Sequence, residues 1–108
     1  DALVAGHLTN EDEFWLPYPV PTVAASEPSF DPACDGLIGR GPVNMGLNWM
    51  LVRGLRRRGL PQEAAHIAAR SRELVELSGF REHYNPLTGE GLRARNFGWA
   101  TAVAAMGA

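Results

Sequence analysis

The sequence predicts an all-α fold of antiparallel helical hairpins whose long loops gather on one rim, as in part of an (α/α) toroid. Three observations carry this. Apolar residues recur at three- and four-residue steps over 42–59 and 61–78, a single residue separates those segments, and the connections flanking them, 9–41 and 80–95, are very long.

The elements follow in order. Asp1 to His7 reads as the end of an earlier helix. Pro17, Pro19, Pro21, Pro28 and Pro32 keep 9–41 out of a helix, with Val20 to Ala24 as a short extended stretch. Pro42 suits the first turn of a helix, because its fixed φ fits there and its missing N–H is not needed. Val43, Leu47, Met50, Leu51 and Leu55 then form one apolar face, and Gly59 stops the helix. Pro61 opens a second helix with a stripe of Ala64, Ile67, Ala68, Ser71, Leu74, Val75 and Ser78, ended by Gly79. A third helix is expected from Phe97 or Gly98 through Trp99, Ala102, Val103 and Met106. No segment shows a convincing strand alternation, so 80–95 is expected to be a loop.

Composition narrows the function classes. The 108 residues are 45% hydrophobic and 20% charged with net charge −2, and no apolar run approaches the roughly 18 residues of a membrane span, so no membrane partner is expected. Every basic residue is an arginine, and Arg53, Arg56, Arg57 and Arg58 crowd one segment. At a helix C-terminus they complement the dipole, and no aromatic ladder extends the patch, so no nucleic-acid partner is expected either. Cys34, the single cysteine, excludes an internal disulfide. His7, His66 and His83 show no metal-ligand spacing, no Gly-x-Ser-x-Gly elbow exists, and the glycines around Gly39 and Gly89 do not form a phosphate fingerprint, so no cofactor is expected. The compartment stays open.

The chemistry concentrates in Gly79-Phe80-Arg81-Glu82-His83-Tyr84-Asn85-Pro86-Leu87-Thr88-Gly89-Glu90-Gly91. Two carboxylates stand beside an aromatic phenol and turn-forming residues that aim them, the vocabulary of a sugar site. The same residues also suit an ordinary solvated turn. Trp15 and Tyr18 in the first long loop are the aromatics placed to stack on a pyranose, whereas Trp49 and Trp99 lie among apolar helix neighbours and read as core. Arg40, at the rim end of a helix, can grip a carboxylate or vicinal hydroxyls, or pair with Asp35 or Glu82.

Taken as an ordered set, Glu13-Phe14-Trp15-Leu16-Pro17-Tyr18-Pro19-Val20-Pro21-Thr22-Val23-Ala24, Arg40-Gly41-Pro42-Val43, Asn48-Trp49-Met50-Leu51, the Gly79–Gly91 stretch and Asn96-Phe97-Gly98-Trp99-Ala100-Thr101-Ala102 resemble inverting α-glycosidases of glycoside hydrolase family 63. The likeness is to the mannosylglycerate-hydrolase-like and bacterial α-glucosidase members, and more distantly to trehalases. It runs from about residue 8 to the end. The resemblance implies an (α/α)6 toroid and hydrolysis of O-glycosidic bonds in α-glucosides or α-mannosides, including mannosylglycerate-like ones. It also implies that residues 1–108 are a C-terminal fragment of one catalytic domain, whose remainder is its structural partner and without which it is inactive.

By the same resemblance Glu82, in the Gly-Phe-x-Glu-x-Tyr pattern, is the general base. The acid is an aspartate upstream, since Asp1, Asp12, Asp31 and Asp35 lack its context. Glu90, nine residues before Trp99, corresponds to a second active-site glutamate that holds a sugar hydroxyl, and a loop charge is the alternative. Arg40, Trp15, Tyr18 and Tyr84 complete the expected substrate contacts. Gly39 and Asn44 depart from relatives that carry tryptophan and a bulky residue there, which puts the substrate in doubt. The rival reading is a carbohydrate-binding or structural helical module without catalysis.

Overall fold

The computed structural model describes residues 4–33, 41–95 and 103–106. A π-helical turn, Val4–Leu8, opens them. Two helices follow, α1 (Met45–Arg57) and α2 (Pro61–Ser78), then an antiparallel hairpin of β1 (Arg81–Tyr84) and β2 (Gly91–Arg95). The fold is therefore mostly helical with a small sheet, which corrects the expectation that 80–95 has no regular structure. The expected third helix lies largely outside the described residues, of which 103–106 form a 3₁₀ turn.

Helix α1 begins three residues after Pro42. Val43 is extended because its N–H and C=O are bonded to the backbone of Tyr84, and it also bridges Pro21. Asn44 then caps the helix, its Oδ1 accepting the Leu47 N–H at 3.1 Å. Met45, Asn48, Val52 and Leu55, spaced by three or four, are the buried face, which corrects the expected one: Leu47 and Met50 are exposed. The turn through Arg58 to Leu60 sends α2 back along α1, with Pro61 in its first turn. Ala64, Ile67, Ala68, Ser71 and Leu74 pack inward as the periodicity predicts, while Val75 and Ser78 are half-buried. Gly79, at φ 76°, ends the helix as predicted.

A single apolar core joins these pieces: Val20, Val43, Met45, Val52, Leu55, Ala64, Ile67, Ala68, Leu74, Tyr84, Val103 and Met106. One buried amide stitches the proline-rich loop to it. Asn48 Nδ2 donates to the Pro19 C=O (3.0 Å) and to Ser71 Oγ (3.0 Å), and its Oδ1 accepts the Val20 N–H (3.3 Å). The hairpin and the loop also meet directly, the Tyr18 N–H donating to the Pro86 C=O at 2.8 Å. Both long connections thus converge where α1 starts and α2 ends.

Candidate active site

The Gly79–Gly91 stretch is shaped by its own side chains. Asn85 Oδ1 accepts the N–H groups of Leu87 (2.9 Å) and Thr88 (3.3 Å), folding the tip into an Asx turn. The Asn85 N–H reaches the Glu90 C=O and the Gly89 N–H reaches the Asn85 C=O, both at 2.8 Å. Gly89 holds φ 80°, a conformation that favours glycine, and the Tyr18 ring lies 3.1 Å from where a Cβ would stand.

Glu82 occupies the irregular point of the hairpin. Arg81 pairs with Arg95 and His83 with Leu92, so one residue, Glu82, opposes two, Arg93 and Ala94. That is a β-bulge, a device that re-aims a side chain and raises local twist. Arg93 adopts φ 63° there, a left-handed conformation uncommon for arginine. Arg81 crosses the bulge, its Nη2 donating to the Arg93 C=O at 3.0 Å. Glu82 itself is half-buried.

The residues around it are less accessible. His83 is 5% exposed, and burial pushes its pKa below the ordinary 6.5, with Glu82 pulling it up and Arg93 pushing it down. Tyr84 is wholly buried. Its hydroxyl donates to the Gly79 C=O at 2.6 Å and accepts the Arg81 N–H at 3.0 Å. Burial raises the phenol's pKa.

The other expected site residues that the structure describes do not share one cavity. Glu90 is exposed and borders a shallow cavity of about 370 Å³ with Leu77, Ser78, Thr88 and Gly89. Tyr18 is half-buried against the hairpin tip. Trp15 stacks on His66, ring centres 4.7 Å apart. It borders a different cavity, of about 390 Å³, with Glu11, Leu16, Pro17, His66 and Arg70. Arg40 lies outside the described residues, but Gly41 to Val43, directly after it, are fixed beside Tyr84. Gly41 is required where it stands. Its φ is 154°, the Asp31 carbonyl oxygen lies 2.9 Å from a would-be Cβ, and its N–H donates to Thr22 Oγ1 at 2.8 Å.

Sequence reading singled out neither Arg93 nor Arg81. A bulge breaks the two-residue alternation that marks a strand, so the residues opposite Glu82 carried no pattern.

The comparisons with known proteins agree on one family. Residues 1–100 match the mannosylglycerate hydrolase MGH1-like glycoside hydrolase domain. A mannosylglycerate hydrolase of Thermus thermophilus is 40% identical over 103 residues, covering 93% of this chain and 24% of that protein. A mannosylglycerate hydrolase of Selaginella moellendorffii is 36% identical over 86 residues, 80% of this chain and 17% of its own length. The crystal structure of the family 63 mannosylglycerate hydrolase from Thermus thermophilus in complex with glucose superposes with a TM-score of 0.74 at 40% identity, over 82% of this chain and 22% of that one. The same enzyme in complex with Tris and D-glycerate gives 0.75, with 82% and 21% covered. The chain thus covers between about a sixth and a quarter of the length of these relatives. On the family match over residues 1–100, the identity to its relatives and the shared fold, the chain belongs to the mannosylglycerate hydrolase MGH1-like glycoside hydrolases of family 63.

Proposed function

We propose that this chain is the base-bearing part of an (α/α)6 toroid that hydrolyses α-mannosides or α-glucosides of small organic acids, mannosylglycerate among them, with inversion. The observation that carries it is the bulge opposite Glu82, which sets that carboxylate apart from its strand neighbours in the segment that resembles the family's Gly-Phe-x-Glu-x-Tyr pattern. Relatives named for mannosylglycerate hydrolysis, and a related structure holding D-glycerate, support the substrate class.

In this reading the Glu82 carboxylate takes a proton from a water as that water attacks the anomeric carbon. An aspartic acid from the rest of the domain protonates the leaving oxygen from the opposite face, about 6.5–9.5 Å away. Glu90 holds a sugar hydroxyl. Arg40, which precedes Gly41 in the sequence, binds the acid moiety of the substrate. Tyr18 gives ring surface next to the hairpin tip, and Trp15, in its separate cavity, serves a more distant subsite.

The test is stereochemical and uses the complete enzyme with an α-linked substrate. An NMR time course is expected to show the β-anomer as the first-formed sugar, because attack by water is from the face opposite the leaving group. A first-formed α-anomer contradicts the proposal.

A further inference from the structure

A general base serves only where its carboxylate is held against the attacking water, and displacement by about 1 Å can lower a rate by about 10². Glu82 lies on a four-residue strand beside a bulge, a short and irregular support. Tyr84 supplies further anchorage. Strand alternation places it on the same face as Glu82, and its fully buried side chain reaches back to the backbone of residues 79 and 81. There the hydroxyl closes on the backbone at two points, the Gly79 C=O at 2.6 Å and the Arg81 N–H at 3.0 Å. The latter belongs to the residue immediately before Glu82. At its other end, the Tyr84 C=O accepts the Val43 N–H (2.8 Å) and the Tyr84 N–H donates to the Val43 C=O (3.1 Å).

Tyr84 is therefore fixed at both ends, by main chain on one side and by its phenol on the other, with Glu82 between. We propose that Tyr84 is a positioning residue for Glu82, setting the carboxylate's place relative to the Gly41–Val43 segment through the backbone of Gly79 and Arg81, without touching substrate. This rests on Glu82 being the base. A raised phenol pKa fits the role, since the hydroxyl keeps the proton it donates to Gly79.

The experiment compares Tyr84→Phe, Glu82→Gln and the double variant in the complete enzyme. Tyr84→Phe is expected to lower kcat about ten- to a hundredfold with KM changed less than about twofold. In the double variant it is expected to add almost nothing, because placement no longer matters once the charge is gone. The Arg81 amide should also exchange hydrogen faster in Tyr84→Phe. An unchanged kcat, a raised KM at normal kcat, or losses that multiply in the double variant would each overturn the proposal. A near-normal Glu82→Gln enzyme removes the base reading itself, whereas a normal Tyr84→Phe enzyme beside an inactive Glu82→Gln enzyme removes only the positioning role. If Tyr84→Phe does not fold, hydrogen exchange on the unmodified protein decides: an Arg81 amide as protected as those of the strand is expected, and loop-like exchange overturns it.

Discussion

Val43 and Tyr84 exchange two backbone hydrogen bonds, Val43 N–H to Tyr84 C=O at 2.8 Å and Tyr84 N–H to Val43 C=O at 3.1 Å. This pair joins two segments 41 residues apart, the one following Arg40 and the one containing Glu82. Pro21 bridges Val43 from its other side, so the proline-rich loop enters the same junction. The two long connections and the segment that reads as a helix start are thereby ordered around one point.

Asn48 is the second fixed point, and its removal should be costly. Asn48→Ala leaves the buried Pro19 C=O and Val20 N–H without their side-chain partner. At about 1–3 kcal/mol for each of the two buried groups left unsatisfied, a loss of roughly 2–6 kcal/mol is expected. Urea unfolding measures it, and a loss below about 0.5 kcal/mol, the scatter of ordinary surface substitutions, would contradict the bonding described.

Asn44→Ala should act only through the helix it caps. The Leu47 N–H loses its acceptor, and stability should fall by about 0.5–2 kcal/mol. Asn44→Asp should keep most of it, because a carboxylate accepts the same bond and favours the positive end of the helix. If both variants lose stability equally, the cap is not the role of Asn44.

Acid should weaken the fold through His83. Its folded pKa lies below the ordinary 6.5 because it is buried, with Glu82 opposing the shift and Arg93 adding to it. The unfolded chain then binds the proton more readily. Stability is full above the unfolded pKa and declines as pH falls from about 6.5 through the folded value. His66 is shifted the same way by burial and Arg70. Urea midpoints taken between pH 7.5 and 5 should therefore decline less in His83→Gln than in the parent, and identical slopes would show that His83 is not the sensor.

Helix α2 was legible because its signals are local. Three-to-four periodicity, Pro61 in a first turn and Gly79 past a last one describe α2 without reference to anything distant. The start of α1 was not, since Pro42 is a good first-turn residue until Tyr84 captures the backbone of Val43. The hairpin was hidden for a related reason: four- and five-residue strands interrupted by a bulge leave too short an alternation to see. Family motif residues pointed to Glu82 and Tyr84 together. Only coordinates separate a half-buried carboxylate from a fully buried phenol bonded to backbone.

The central claim is that Glu82 takes the proton from water while Glu90 holds substrate. Steady-state kinetics of Glu82→Gln and Glu90→Gln in the complete enzyme tests it most directly. Glu82→Gln keeps the shape but not the charge, so kcat should fall by about 10²–10⁴ with KM largely kept. Glu90→Gln should instead raise KM more than it lowers kcat, because a group that holds a hydroxyl acts on ground and transition states alike. A Glu82→Gln enzyme with near-normal kcat, or two variants with the same kinetic signature, would contradict the account.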